Sequence, residues 1–423
     1  MENPRQTTDA ASQAPRIAYL LSRYPAISHT FFLKEILGLR DRGIAIEVAS
    51  INLPDRPKDR LPKVEAAEAE KTFYVKPDSA AKALTRLFMI AFRNPLVLFR
   101  GLGFALAMGG WDLLARAYAL FYLAEALLVG DWMRRRGLSH LHVHFGGAVA
   151  TVGMITAHAW RIPWSLTLHG PDEFFDQEKF YLRQKIESTA FVICISDFCR
   201  SQVIRIAPQI DDSRTEIVRL GVDCDQLKPL EHFLKADEPR EIRFVCTGRL
   251  VAAKGHRIFI ESLSRLAQNG VYYSVVLIGD GPERAALQSL INDRGIADRV
   301  QFAGAMDHGS TLDEVAKADV FVLASFAEGL PVALMEAMAL GIPCVSTTIA
   351  AIPELIGDGS NGRLVFPANV DALSDALQNL TENPDFRALL GREARHTIEK
   401  EYNLNANLEK LAAVWRRRLG GRI

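Results

Sequence analysis

The 423-residue chain is 49% hydrophobic, enough to bury more than one core, and its length points to two domains or three. Lys plus Arg and Asp plus Glu both total 50, a balance that argues against a general nucleic-acid binder while leaving room for a local basic surface. The five cysteines, Cys194, Cys199, Cys224, Cys246 and Cys344, form no C-x-x-C pair, which argues against a disulfide framework or thiolate zinc site and predicts buried free thiols.

Residues 1–15 have no apolar core of the kind a secretory signal carries, so a disordered start to a cytoplasmic chain is expected. From residue 16 onward, short β-branched runs alternate with helical segments, the pattern of parallel sheets covered by helices on both faces. In the first half the runs are "RIAYLLS" (16–22), "IAIEVASI" (44–51), "HLHVHFG" (140–146), "WSLTLHG" (164–170), "FVICIS" (191–196) and "TEIVRLG" (215–221). Between the first two, Ser28, His29 and Thr30 open a helix, either as plain caps or as contacts for a phosphate or sugar.

Residues 79–171 hold nine Lys/Arg against three Asp/Glu, the local basic surface that the overall balance conceals. Within them, 81–133 are strongly apolar, but Arg93, Arg100, Asp112, Arg116 and Glu125 interrupt every run, so no membrane-spanning helix is expected. Two readings remain for this segment. It packs as helices in the first domain, or it forms an interfacial hairpin that faces anionic lipid with aromatic anchors and Arg134, Arg135 and Arg136. His140, His142 and His144 share one strand face, yet no acidic or thiol partner lies near in sequence, so no metal is expected there; His144 suits an acceptor-side contact better.

His169 closes the fourth run and is placed to face a cleft. "DCD" (223–225) reads as a turn, and the polar stretch from Asp225 to Ile242 as a linker. The second half repeats the alternation with "IRFVCTG" (242–248), "SVVLIG" (274–279), "VQFAG" (300–304), "DVFVLAS" (319–325) and "IPCVST" (342–347). The fold class is therefore α/β, with two doubly wound parallel-sheet domains facing each other. The first covers 16–225 with a helical insertion at about 79–137, and the second covers 226–400. A last helix at 401–423 is free to cross back to the first domain.

Nucleotide fingerprints are weak: "GDGPER" (279–284) has two of the three glycines of a dinucleotide turn, and no P-loop occurs. What stands out is "FAEGLPVALMEAMALGIPCV" (326–345), an interior-like stretch carrying Glu328 and Glu336. Pro331 suits the first position of a short helix over 331–340, which leaves Glu328 in the preceding loop and Glu336 inside it. Both carboxylates can then face one ligand near the helix start, where unpaired N–H groups favour negative charge, a geometry suited to a phosphorylated sugar. Arg249 and Lys254 leave the first strand of the same domain, where two cations can clamp a diphosphate.

Arg249 with Lys254, and Glu-x7-Glu after a strand of the second domain, resemble the retaining nucleotide-sugar glycosyltransferases of family 4, with the GT-B fold. The resemblance runs from residue 16 to about 400, and residues 21–51 are similar to the branch that builds bacterial exopolysaccharides, such as the colanic-acid glycosyltransferases. It implies a UDP- or GDP-linked sugar as donor, a saccharide or polyprenyl-diphosphate-linked acceptor, no cofactor and no required metal; with a lipid-linked acceptor, the interfacial reading of residues 81–136 would set the cytoplasmic chain at the inner face of the membrane. It further implies that Glu328, with the N–H groups of Gly329 and Leu330, binds donor-sugar hydroxyls and that Glu336 holds the ribose. Arg249, Lys254 and the helix start at Pro331 would neutralise the departing diphosphate, Gly304 and Ala305 read the base, and His169 touch the sugar beside its anomeric carbon. A glycine-rich loop common after the first strand in relatives is replaced here by "SRYPAISHTF" (22–31), which suggests a different acceptor. Two alternatives follow from the same fold: an epimerase or phosphorylase, or a non-catalytic binding protein whose cleft residues would have decayed.

Overall fold

The computed structural model describes residues 16–26, 30–76, 80–229 and 241–420. Residues 1–15, Ser28, His29 and most of the expected linker therefore lie outside the described residues. The first sheet comprises β1 (Arg16–Arg23), β2 (Ala45–Asn52), β3 (Phe73–Tyr74), β4 (His140–His144), β5 (Trp164–Leu168), β6 (Phe191–Cys194) and β7 (Thr215–Ile217). The second comprises β8 (Ile242–Thr247), β9 (Tyr273–Ile278), β10 (Val300–Gly304), β11 (Val320–Leu323), β12 (Cys344–Thr347) and β13 (Arg363–Val365). All strand pairs are parallel, in the orders β3-β2-β1-β4-β5-β6-β7 and β10-β9-β8-β11-β12-β13. The order reverses between β1 and β4 and between β8 and β11, and at such switch points the carboxyl ends of the strands open a crevice for ligands.

Burial explains the runs read from sequence. Strands covered by helices on both faces have no solvent side, so β4, β5, β6, β11 and β12 are buried end to end and read as continuous rather than alternating patterns. Side chains of β1 divide between two cores: Ala18 and Leu20 pack toward one face, Ile17, Tyr19 and Leu21 toward the other. All five cysteines are free and buried, as their spacing predicted. Asp223 bonds the N–H groups of Asp225 and Gln226 through Oδ1, closing "DCD" as a turn.

Two features tie the lobes together. After the bridge between Val222 and Asn403, the helix Leu404–Leu419 lies on the first sheet, where fully buried Trp415 packs against His142 (4.9 Å between ring centroids), Phe191 (5.6 Å) and Tyr19 (6.2 Å). On the other side, the Glu354 carboxylate of the second lobe accepts the N–H groups of Asp197 (2.9 Å) and Phe198 (2.7 Å). It thereby caps a helix of the first lobe, Asp197–Ile206, with Arg219 at 3.5 Å.

The helical insertion consists of Ala80–Arg93, Pro95–Met108 and Leu113–Arg136. Asp112 caps the third helix through the N–H groups of Leu114 and Ala115, and Gly137 ends it in the left-handed region. The 24-residue third helix is long and apolar enough to cross a bilayer, which corrects the expectation that its charges cut every run short. Its second half, however, belongs to the first core: Ala126, Leu127, Val129 and Met133 are buried, and Gly130 lies so close to Trp160 that a Cβ there would sit 2.2 Å from the indole. Its first half, the turn before it and the two preceding helices instead present Phe88, Phe92, Phe99, Trp111 and Leu113, each about two-thirds exposed or more, Trp111 at 94%. Arg134 bonds Asn94, Arg135 pairs with Asp131, and Arg136 faces Glu47 at 3.5 Å, so the three arginines make partners within the protein.

Candidate active site

Each lobe sends its strand ends to the same crevice. From the second lobe, the loop after β11 carries Ser325 and Glu328, and a one-turn 3-10 helix, Ala252–Lys254, carries Lys254. Lys254 Nζ lies 2.5 Å from Glu328 Oε1, and Ser325 Oγ donates to the same oxygen at 2.7 Å. Among the described residues no protein donor bonds Glu328 Oε2, so one carboxylate oxygen anchors the side chain and the other remains able to accept from a hydroxyl. Glu328 is 8% exposed, and its buried carboxylate is paired with Lys254.

Packing of the strand ends is set by glycines. Gly279, at φ +137°, brings its Cα so near the β8 loop that a Cβ would stand 1.9 Å from the Gly248 carbonyl oxygen. This draws the loop bearing Arg249 against the ends of β8 and β9, where Leu250 N–H also donates to the Asp280 carbonyl. Arg249 itself is exposed at the mouth of this loop, beside Gly248, whose open side faces the Lys254 stem. Burial, and then the Lys254 charge, push the His256 imidazole down to about 4, so it sits neutral below the same loop.

The helix after Glu328 runs Val332–Ala339, one residue shorter at each end than expected. Pro331 is extended (ψ 114°) and stands before the first turn, because its ring cannot donate and the turn closes from Leu334 N–H onto the Pro331 carbonyl. Glu336 on this helix meets His308 Nε2 at 2.7 Å, across from Gly304 and Ala305 at the end of β10. His308 lies in the quoted "FAGAMDH" stretch, but its partnership with Glu336 depends on a contact between elements that no local spacing encodes. Ser325, by contrast, stands three positions before Glu328, and that short spacing was readable.

The first lobe supplies His169 and Gly170. The lobes touch here backbone to backbone: a Cβ on Gly329 would stand 2.0 Å from the His169 carbonyl oxygen, and one on Gly170 would stand 2.5 Å from the Gly329 Cα. His169, Gly170, Gly329, Leu330 and Val332 line one cavity of about 220 Å³ together with Phe31 and Phe145. The structure thus gathers His169, Gly329 and Leu330 around one space, places Lys254 on Glu328, and sets Glu336 beside the Gly304 loop.

Beneath His169, Glu173 Oε2 accepts its N–H at 3.1 Å, while Lys185 Nζ donates to the carbonyls of Gly146 and Gly147 at 2.8 Å each. Burial pushes the Glu173 carboxyl up to about 8 and the Lys185 ammonium down to about 7. Together they hold the turns after β4 and β5. His140 and His142 both reach Ser165 Oγ at 2.8 Å, and His142 also reaches Thr167 at 2.9 Å. Their rings are therefore part of a hydrogen-bonded sheet interior.

Two parallel-sheet lobes with a cation, two carboxylates and a helix start on the second lobe's edge are the layout of a GT-B glycosyltransferase. The sequence pattern described as "Glycosyl transferases group 1" matches residues 230–397, and that described as "Glycosyltransferase Family 4" matches residues 90–226. The chain belongs to this family of glycosyltransferases. It is 25% identical over 411 residues to a putative colanic acid biosynthesis glycosyltransferase, WcaL, of Escherichia coli, covering 94% of this chain and 99% of that one. It is also 25% identical over 423 residues to the amylovoran biosynthesis glycosyltransferase AmsK of Erwinia amylovora, covering 95% and 99%. Among solved structures, Anabaena HepE in complex with UDP superposes with a TM-score of 0.70 at 18% identity, covering 95% of this chain and all of that one. The fold is thus GT-B.

Proposed function

We propose that this glycosyltransferase moves a hexosyl group, with retention, from a UDP- or GDP-linked sugar to a saccharide or polyprenyl-diphosphate-linked saccharide in bacterial polysaccharide assembly. The observation that carries the reading is the Lys254–Glu328 pair at 2.5 Å beside the helix start at Pro331, facing His169 of the other lobe. In this reading Glu328 Oε2 and the N–H groups of Gly329 and Leu330 take donor-sugar hydroxyls, and Glu336, aligned by His308, takes the ribose diol. The base lies along Gly304 and Ala305. Arg249, Lys254 and the helix start near Pro331 stabilise the diphosphate as the bond from the anomeric carbon to phosphate oxygen breaks. The acceptor oxygen bonds the same carbon on the same face, and its proton passes to the departing phosphate oxygen, so no protein base is required. Because fixed cations and dipoles carry the leaving-group charge, the reaction needs neither a metal nor a cofactor. HepE was captured with UDP and related exopolysaccharide enzymes match along the whole chain, which supports the donor class and the pathway type.

A thermal-shift and hydrolysis screen of nucleotide sugars tests the proposal: one UDP- or GDP-sugar is expected to stabilise the wild type and to be turned over. Absence of any nucleotide-sugar binding would refute it.

The enzyme works in the cytoplasm at the inner face of the membrane. Of the large hydrophobic side chains exposed on the described surface, those from Leu84 to Phe121 concentrate on the insertion, among Arg86, Arg93 and Arg100, a combination fitted to anionic lipid. Replacing Phe88, Phe92 and Phe99 together by serine is expected to abolish co-sedimentation with phosphatidylglycerol vesicles and leave the melting temperature unchanged, because these side chains are already exposed. Undiminished sedimentation would exclude this surface.

A further inference from the structure

The carboxylate of Glu354 does more than close a helix end. Glu354 belongs to the short helix Ile352–Leu355, which follows β12 in the second lobe, and its two oxygens take the N–H groups of Asp197 and Phe198 of the first lobe, one each. Ser196 caps the Cys199 N–H of the same helix at 3.0 Å, so Glu354 supplies two further acceptors that this helix start lacks. The Asp197 side chain accepts from Arg219 at 2.8 Å. Tyr402, next to the bridge between Val222 and Asn403, donates its hydroxyl to the Glu354 carbonyl at 3.0 Å. The junction therefore stands beside both passages of the chain from lobe to lobe.

Each side of the junction continues to the crevice by contacts of its own. In the first lobe, the Cys199 thiol of the capped helix donates to the Leu168 carbonyl at 3.3 Å, and the Phe198 ring meets Phe174 edge-on with centroids 6.5 Å apart. Burial, with the Cys194 thiol nearby, holds the Cys199 thiol well above its ordinary range, so it keeps the hydrogen that it donates. Leu168 and Phe174 bracket the turn that carries His169 and Gly170, whose backbone meets Gly329. In the second lobe, Thr347 at the end of β12 donates from Oγ1 to the Ser325 carbonyl at 2.7 Å, and the Ser325 hydroxyl in turn anchors Glu328. Cys199, Leu168, Phe174, Ser325 and Thr347 are all buried, so both links run through packed interior rather than solvent. One acid is thus joined to the two loops that touch across the cleft.

We propose that Glu354 is a positioning residue for the transfer reaction. By holding the first-lobe helix it keeps the His169–Gly170 turn against the Gly329–Leu330 loop, and so sets the donor-sugar contacts of one lobe against those of the other. A carboxylate suits the task, because a helix start favours negative charge and because two oxygens reach two N–H groups at once. The proposal rests on the reading that both loops contact the donor sugar, and it adds the residue that fixes how far apart they stand.

Hydrogen–deuterium exchange of the full-length protein reads the contact between the lobes without substrate. Glu354→Ala is expected to speed exchange about tenfold in segments 197–201, 168–175 and 326–334, while β4 and β8 exchange as in the wild type. With a nucleotide sugar that the enzyme turns over, Glu354→Ala is expected to lower kcat/KM about tenfold and to leave the affinity for free UDP or GDP unchanged. Glu354→Gln, which keeps an acceptor oxygen for the helix, is expected to recover most of that loss. Combined with Gly329→Ala, Glu354→Ala should cost less than the product of the two single losses, because lobes already parted have no contact left to lose. Unaltered exchange in segments 168–175 and 326–334 overturns the proposal, as does a wild-type kcat/KM or a double variant that loses the full product. Should Glu354→Ala fail to fold, Glu354→Asp, one methylene shorter, replaces it under the same criteria. If the wild type turns over no nucleotide sugar, the functional reading is what fails, and the exchange result still decides whether Glu354 holds the two loops together.

Discussion

The two edges of the cleft are built on different principles. On the second lobe, the proposed recognition groups sit on short loops directly after strands, and their reach is set by backbone packing: Gly279 against the Gly248 carbonyl, Lys254 on a single 3-10 turn, and a helix start behind Gly329. On the first lobe His169 is instead held by side chains from behind, Glu173 and, through the turns after β4 and β5, Lys185, all kept almost wholly from water. A diphosphate has the same charge and shape whatever sugar it carries, so in the proposed reading a rigid, charge-bearing frame serves every donor. Sugar and acceptor differ from enzyme to enzyme, and side chains supported from behind can be exchanged without disturbing that frame.

The contrast is sharpest where the lobes meet. Gly329→Ala places a methyl group against the His169 carbonyl, and separating the lobes is the simplest relief; about a hundredfold loss of kcat/KM is expected, with free-nucleotide binding to the second lobe preserved. Equal loss of both would mean that the second lobe itself had been damaged. Within the frame, Lys254→Ala and Glu328→Gln should each lower turnover by more than about tenfold, or about 1.4 kcal/mol of barrier, without unfolding the protein. Near-normal rates for either would remove the pair from the chemistry.

The smallest effect concerns pH. His256 is held neutral to about 4, below its ordinary 6.5, so the unfolded chain binds an extra proton between those values. Its contribution is fully present above pH 6.5 and is lost as the pH falls through that window. Between pH 6 and pH 5 the wild type is expected to lose about 1 kcal/mol that His256→Gln does not lose, measured by denaturant unfolding of the two proteins. Parallel curves would show that the loop above His256 imposes no such penalty.

The same division governs what could be read in advance. Eleven strands announce themselves as β-branched runs, the central ones because strands covered on both faces are uniformly apolar. β3 and β13, two and three residues long, lie in no longer β-branched run that would establish a period. The placement of Arg249, Lys254 and Glu328 in loops after strands, and of Glu336 in the short helix that follows, was legible because these positions are set by local sequence. The contact of Glu354 with the other lobe was not, because an acid in a one-turn helix looks like ordinary surface until its lobe is laid against the Asp197–Ile206 helix. The insertion fell between these cases. Its hydropathy was plain, but only packing against Trp160 divides the third helix into a buried half and an exposed half.

The placement of Trp415 has a bearing on biosynthesis. The indole that completes the interior beside Tyr19, His142 and Phe191 is translated after the whole of the second lobe. While the ribosome is still adding the later strands, the earlier half is left with an unfilled groove over β1 and β4, and it reaches its final packing only when the tail swings back. Order of synthesis and order of maturation are therefore inverted, and the nascent chain must shelter that groove from unwanted association in the interval.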